Sequence, residues 1–283
     1  MTGGLAPVKR TAEEVYTALY KKVIERNEAY YRKFPEDVER VRKIAQYLDE
    51  KTPVLLPGGG EFTVERLLGI GLCMGMNGGL DLIHSTILKL AMDIDQFDFI
   101  TRAAGSAFEG LVPFDTNPIY AVLHESIYTN GPGLASNWAA HRVGKTLSES
   151  EPGLSWLSSV PQALNSPSPN QQPLYFSGEM VYPAHFDCYP ELKDMKETAE
   201  LLAKYDDWPR LYDLDQLARN EVPVYAASYV EDMYVAADFA RETAKAVRGT
   251  KVFETNVMYH GALRAKTEEV LGQLFKLRDD TLD

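Results

Sequence analysis

Apolar residues recur at helical spacing through most of the chain before residue 220. Two such stripes lie between residues 11 and 50, one on each side of Pro35. Thr11 and Glu14 have the spacing of a capping box, in which two side chains bind the first free backbone N–H groups of a helix. We therefore predict two helices here, separated near Pro35.

The middle of the chain is predicted to be helical with intervening loops. The PGGG sequence at 57–60 lacks the lysine and hydroxyl residue of a phosphate-binding loop, and it favours a turn before a helix that starts near Thr63. Further helices are expected over 97–147. The stretch 151–173 is rich in serine, proline and asparagine and is predicted to be a long loop.

The pattern changes near residue 220. Apolar, β-rich runs at 222–230 and 251–257 alternate with amphipathic helical runs at 236–249 and 262–280. This strand–helix–strand–helix order is typical of a parallel α/β sheet. The sequence thus predicts an α/β protein in which a large helical block precedes the closing edge of a sheet.

Composition narrows the possible partners and location. The chain has 283 residues, of which 45% are hydrophobic and 25% charged, and its net charge of −12 argues against a nucleic-acid partner. No apolar run reaches the length of a membrane span, and the N-terminal decapeptide lacks the apolar core of a signal peptide, so no membrane association is expected. Cys73 and Cys188 have no metal-ligand spacing, which favours a reducing, cytoplasmic location.

Two residues that could carry chemistry follow the two predicted strands. Asp232 comes after the first strand and His260 after the second. Because ligands and catalytic groups sit at the carboxyl ends of parallel strands, we expect a hydrogen bond between them, with the carboxylate orienting a histidine that acts as general base and acid. The alternative is that His260 is a loop histidine and Asp232 caps the next helix. The order Asp then His is that of α/β-hydrolases.

A nucleophile to complete such a triad is missing from these residues. The serine of an α/β-hydrolase lies in a G-x-S-x-G elbow that precedes the aspartate. The closest stretches, GSAFEG at 105–110 and SGE at 177–179, do not have that spacing. The pair alone cannot perform covalent acyl transfer.

Several blocks resemble the proline iminopeptidases (prolyl aminopeptidases), which are serine peptidases with an α/β-hydrolase fold. They are DDWPRLYDLDQLARNEVPVYAASYVEDMYV, TNVMYHGALRA, RNEAYYRKFPEDVERVR, FDTNPIYAVLHESIY and SGEMVYP. The resemblance extends over nearly the whole chain. It implies that Asp232 is the triad acid and His260 the triad base.

The resemblance also implies a domain organisation. Residues 1–8, which include TGGLAP, would be the end of a core strand leading into a cap, 9–218 the helical cap domain, and 219–283 the C-terminal part of the α/β-hydrolase core. The fold would be incomplete here, with the helical cap followed by the last two strands and helices of the parallel sheet. The chain is expected to be N-terminally truncated relative to the family, with the serine upstream.

An iminopeptidase must recognise a free N-terminal amine, and buried carboxylates suit that task. Glu125 and Glu179 are the candidates, since both lie in blocks that resemble the family's amine-binding part of the cap; the alternative is that they are surface acids of a strongly acidic protein. The aromatic residues nearby could form an apolar wall for a proline ring: Tyr120, Tyr128, Phe176 and Tyr182. Arg264 could pair with Glu179, with another cap acid or with the final helix.

The expected function is therefore that of a proline iminopeptidase-like serine aminopeptidase, which acts on peptide substrates with an N-terminal proline. No metal or organic cofactor is implied, since His124, His141 and His185 lack metal-ligand spacing. One alternative is another α/β-hydrolase activity, such as that of an esterase or epoxide hydrolase. The other is a truncated, non-catalytic remnant that binds a peptide or a protein partner.

Overall fold

The computed structural model describes residues 1–165 and 172–279. Helices dominate it, and two short strands form a parallel sheet. In chain order, helices α1 to α15 are Ala12–Lys33, Asp37–Glu50, Val64–Gly69, Gly79–Phe97, Arg102–Glu109, Pro118–Leu123, Ala139–Leu147, Val160–Asn165, His185–Cys188, Pro190–Lys193, Lys196–Lys204, Leu214–Ala218, Ala237–Ala246, Ala262–Ala265 and Thr267–Asp279. Strands β1 and β2 are Val224–Tyr229 and Thr250–Thr255, and shorter 3-10 helices are Ile70–Gly75, Phe114–Thr116, Glu125–Tyr128 and Pro152–Leu157.

The two N-terminal helices form as their sequence predicts. The backbone N–H of Glu14 donates to Thr11 Oγ1 at 3.4 Å, and Glu14 Oε2 accepts from the Thr11 backbone at 2.9 Å, so the capping box is present. Helix α1 ends before Pro35 and α2 begins after it. Thr63 likewise caps α3, as the turn at 57–60 suggested.

Most of the apolar core lies within the helical block. Helix α1 packs against α7, and α2 packs against α4, so that their apolar stripes are buried together. Two smaller clusters flank the sheet; one includes Ala227, Met258 and Val270, and the other Leu5 and Ala226. None of the described helices combines the length and apolar character that a bilayer span requires.

The prediction of a long loop at 151–173 is wrong for its first part. Residues 152–157 form a 3-10 helix and α8 follows at once. The reason is apolar anchoring, because Leu154 and Trp156 are buried and Trp156 Nε1 donates to the Tyr175 carbonyl at 2.9 Å. Positions 166–171 of the predicted loop lie outside the described residues.

The C-terminal part has the predicted strand–helix–strand–helix order. Strands β1 and β2 pair in parallel, with Ala227 opposite Phe253. Helix α13 connects them, and the last predicted helix is interrupted at Lys266, which divides it into α14 and α15. The carboxyl ends of both strands therefore lie at the same edge of the sheet.

Residues 1–4 run beside β1 in the same direction. The Met1 carbonyl accepts from the Ala227 N–H at 2.9 Å, and the Gly4 N–H donates to the Ala227 carbonyl at 3.0 Å. The Met1 amino group adds a bond to the Tyr225 carbonyl at 2.6 Å. Tyr225 and Ala227 bind this segment, whereas the N–H groups of Val224 and Val230 donate to the carbonyls of Gly249 and Thr255, so β1 lies between residues 1–4 and β2.

Candidate active site

The loops after β1 and β2 bring Asp232 and His260 together. His260 Nδ1 lies 2.9 Å from Asp232 Oδ2. The hydrogen bond expected from the sequence is therefore present. A carboxylate can only accept, so Nδ1 carries the donated proton and Nε2 is left to exchange a proton with a reacting group.

The loop itself holds the carboxylate of Asp232. Its Oδ1 accepts from the backbone N–H groups of Tyr234 at 2.8 Å and Val235 at 3.1 Å, and the side chain is buried. The alternative in which Asp232 caps the next helix does not hold, because α13 has Ala236 at its cap position. One oxygen thus fixes the turn while the other binds the imidazole.

The surroundings of His260 favour its protonated form. Burial lowers the pKa of the imidazole, but the hydrogen bond and charge of Asp232, together with the charge of Glu179, outweigh it and raise the pKa above its ordinary value. About a third of the side chain, 31%, is exposed. The imidazole is therefore stabilised as a cation yet accessible from one side.

Two residues that sequence reasoning missed enclose the imidazole. The Tyr234 ring packs edge-on against it, with centroids 4.7 Å apart, and its hydroxyl donates to the Leu72 carbonyl. A Cβ on Gly3 would lie 3.2 Å from His260 Cε1, and the φ of Gly3 is +79°. The glycine pair in TGGLAP was a signal for such a close approach, whereas nothing in the sequence marked Tyr234.

Glu179 acts on His260 through its charge. The Tyr120 hydroxyl donates to Glu179 Oε1 at 2.8 Å. His124 Nε2 donates to the Glu179 carbonyl at 3.2 Å, which holds the backbone. The structure thus places a half-buried carboxylate of the helical block within electrostatic reach of the Asp232–His260 pair.

Two known proteins are similar to the chain over 99% of its length. Proline iminopeptidase aneH of Aspergillus aculeatus is 38% identical over 281 residues, which is 58% of that protein. A proline iminopeptidase of Aeromonas sobria is 38% identical over 284 residues, 60% of that protein. By sequence, the chain belongs to the proline iminopeptidase family. No protein-family model matches it, and it spans about three-fifths of the length of these relatives.

In this member of the proline iminopeptidase family, Glu125 binds the backbone at the start of helix α7. It is buried, and its two carboxylate oxygens accept from the backbone N–H groups of Ala139 at 3.0 Å and Ala140 at 2.8 Å, at the start of α7. Burial raises its pKa to about 7 although these bonds and Ser136 act in the opposite direction. Both carboxylate oxygens of Glu125 are thus already engaged by the protein backbone. A role for Glu125 in binding an amine stays a prediction.

The predicted aromatic wall is divided by the structure. Tyr120 is 39% exposed and lies beside Glu179, whereas Tyr128 is buried. Phe176 and Tyr182 lie in the core, where the Tyr182 hydroxyl is 3.0 Å from that of Tyr20. The prediction that these two line a ligand pocket is wrong, because tertiary packing between α1 and the segment that contains them encloses both rings.

The side chain of Arg264 is exposed. Among the described residues, no ion pair joins its side chain to Glu179 or to another acid.

A cleft of about 790 Å³ lies elsewhere, between residues 8–11 and 210–215, and its lining includes neither the Asp232–His260 pair nor Glu179.

One group of side chains has the proximity of metal ligands. Glu36, Asp37 and His84 place one ligand atom each within 4.8 Å of one another. Asp37 is already satisfied, since it accepts from Tyr30, from His84 Nδ1 at 2.8 Å and from Arg40 at 2.8 Å. The arrangement is therefore explained as a buried polar network that joins α1, α2 and α4.

Proposed function

We propose that this chain carries the acid, the base and the helical cap of a serine aminopeptidase that removes N-terminal proline from peptides, on an α/β-hydrolase fold. The proposal rests on the Asp232–His260 hydrogen bond of 2.9 Å beside the carboxylate of Glu179. The two relatives, both named proline iminopeptidase, support it. The chain spans about three-fifths of the length of these relatives, and the serine nucleophile is proposed to lie outside residues 1–283.

In the proposed reaction, His260 Nε2 takes the proton of the serine hydroxyl as the oxygen attacks the proline carbonyl carbon. The imidazolium then gives that proton to the leaving amine as the peptide bond breaks, and a prolyl ester of the serine remains. Water completes the cycle: its oxygen attacks the ester carbon while His260 accepts its proton, the ester bond breaks to release proline, and the imidazolium returns the proton to the serine oxygen. Asp232 stabilises the imidazolium in both halves.

Glu179 is proposed to bind the secondary ammonium of the substrate. A half-buried carboxylate forms a stronger bond to an ammonium group than an exposed one does, because less water competes. The hydroxyl of Tyr120, 2.8 Å from Glu179 Oε1, would keep the carboxylate in place. Glu125 is the second candidate for this role.

The test uses the endogenous polypeptide, whose intact mass is first compared with the 31.7 kDa of this chain. In that polypeptide, His260→Ala should abolish turnover of proline amide while circular dichroism shows a retained fold. His141→Ala is the matched control, since His141 is half-buried and lies outside the site. Turnover at the unsubstituted rate in His260→Ala would refute the proposal. An intact mass of 31.7 kDa without turnover would favour the non-catalytic alternative.

An esterase activity on the same pair is the second candidate, because the α7 backbone already occupies both oxygens of Glu125. If Glu125 keeps these two bonds when substrate is present, recognition of an amine falls to Glu179. An esterase has no ammonium to bind, so Glu179→Gln would leave its turnover unchanged. The same substitution should impair an aminopeptidase.

A further inference from the structure

The loop that carries Asp232 is tethered to helix α1. Lys22 Nζ lies 3.1 Å from Glu231 Oε2, and Glu231 directly precedes Asp232. The Lys22 side chain is 26% exposed and also pairs with Glu25 at 2.7 Å, so its ammonium is held between two carboxylates. Such a partly shielded pair with two acids is better fixed than an isolated surface pair.

One helical turn further along α1, Arg26 contacts the loop that carries His260. Its guanidinium lies over the ring of Tyr259, with 4.7 Å between Cζ and the ring centroid, and Tyr259 directly precedes His260. Arg26 Nη2 donates to the Met74 carbonyl at 2.9 Å. That bond fixes the guanidinium plane on which Tyr259 rests, a contact that a flexible ammonium would not reproduce.

Asn27, the next residue of α1, binds the segment that leads to Glu179. Its Oδ1 accepts from the Phe176 N–H at 2.7 Å, and its Nδ2 donates to the Phe176 carbonyl at 2.9 Å. Asn27 is fully buried. One side chain therefore satisfies both backbone groups of Phe176, and breaking this contact would leave buried polar groups unpaired.

We propose that α1 sets the relative positions of the three loops of the site, with Lys22, Arg26 and Asn27 as positioning residues. Lys22 and Arg26 lie on one face of the helix because they are four residues apart, and Asn27 lies beside Arg26, about 100° further around the helix axis. A single helix fixed to all three loops keeps the carboxylate, the imidazole and the cap carboxylate in register. A role of this arrangement in catalysis rests on the proposed function. The contacts of Lys22, Arg26 and Asn27 are observed in the structure and do not depend on it.

The test is the titration of His260, followed by NMR in this chain. The groups that face the imidazole are Asp232, Glu179 and Tyr234, and the Asp232 contact holds the imidazole pKa above its ordinary value in spite of burial. If α1 positions the loops, Arg26→Ala should loosen that contact and lower the pKa of His260 by about 0.5 or more. Removal of a nearby cation would by itself raise the pKa of an imidazole, so the sign separates positioning from simple charge loss.

Lys22→Ala should lower the pKa of His260 in the same way, and Arg26→Lys, which keeps the charge but loses the planar guanidinium, should lower it less than Arg26→Ala does. Lys21→Ala and Arg32→Ala are the controls, since both are exposed cations of α1. We expect no change in either.

An unchanged or increased pKa of His260 in Lys22→Ala and Arg26→Ala would overturn the proposal. If Arg26→Ala does not fold, the pKa of His260 in Lys22→Ala and Arg26→Lys tests the proposal: a lower pKa supports it, and an unchanged or increased pKa overturns it. Because the titration does not depend on turnover, its outcome is independent of whether the proposed peptidase activity is found.

Discussion

Asp232 Oδ2 lies 2.9 Å from His260 Nδ1, although 28 positions separate the two residues in sequence. The contact follows from topology, because β1 and β2 are parallel neighbours and the loops after them begin at one edge of the sheet. The backbone of the first loop already orients the carboxylate through its other oxygen. The imidazole thus meets an acceptor whose position is fixed by local structure.

Substitution of the carboxylate tests this pair. In Asp232→Asn we expect the pKa of His260 to fall below its ordinary value, because burial remains while the raising influence of the carboxylate is lost. In the active polypeptide, kcat should fall by about 10⁴-fold, since the asparagine favours the wrong imidazole tautomer. NMR titration and proline amide kinetics measure the two effects. Asp238→Asn, an exposed control, should change neither, and a pKa that stays raised in Asp232→Asn would contradict the assignment.

The charge of Glu179 should affect both substrate affinity and pH dependence. A general base must be neutral, so the rate should increase as pH rises through the pKa of His260, which Glu179 helps to raise. Glu179→Gln should therefore move the acidic limb of the kcat/KM profile to lower pH. It should also raise the KM of proline amide by about tenfold or more, as expected for the loss of one charge-assisted bond.

The control for Glu179→Gln is Glu197→Gln, at an exposed position of α11. It should leave the pH profile and KM unchanged. An acidic limb that does not move in Glu179→Gln would show that the two groups are electrostatically independent, and an unchanged KM would favour the esterase alternative.

The sequence was sufficient for the elements that depend on local pattern. The capping box at Thr11 and Glu14 predicted the start of α1, and alternation of β-rich and amphipathic runs predicted β1, α13 and β2. Because parallel strands end at one edge, that order alone predicted the meeting of Asp232 with His260. The prediction did not require knowledge of any side-chain packing.

The features that were missed depend on contacts distant in sequence. Asn27 binds the backbone of Phe176 across 149 positions, and the Phe176 ring, which its position near Glu179 had suggested as a pocket wall, is buried. Glu125 was predicted to bind an amine because its block resembles the amine-binding part of the family's cap, but the free N–H groups at the start of α7 engage its carboxylate. No local pattern reports which buried donors a carboxylate will meet.

Glu125 should make the stability of the protein depend on pH. Its pKa is raised by burial from 4.5 to about 7, so the folded state binds its proton more tightly than the unfolded state does. Proton binding by Glu125 therefore stabilises the folded state. This stabilisation is complete at pH values below the pKa of Glu125 in the unfolded chain, and it is lost as pH rises through the pKa of Glu125 in the folded state. Over that interval the free energy of unfolding should fall by up to about 3 kcal/mol on account of this group.

Glu125→Gln should remove this slope, because the amide does not titrate, while the loss of one acceptor for the α7 backbone adds a constant cost of about 1 kcal/mol. Urea unfolding at a series of pH values measures both. Glu197→Gln should keep the slope of the unsubstituted chain. An identical slope in Glu125→Gln would show that Glu125 is not the titrating group.

The absence of a side chain at Gly3 should allow the imidazole of His260 to keep its position, independently of the backbone conformation of Gly3. Gly3 and Gly249 share a φ of +79°, but a Cβ at Gly3 would lie 3.2 Å from His260 Cε1, whereas one at Gly249 would have no atom within 4 Å. Alanine at either position costs about 1 kcal/mol from the left-handed backbone. Only Gly3→Ala should also displace the imidazole from Asp232 and lower the pKa of His260, which NMR titration measures. Equal titration curves in the two variants would mean that the N-terminal segment does not support the site.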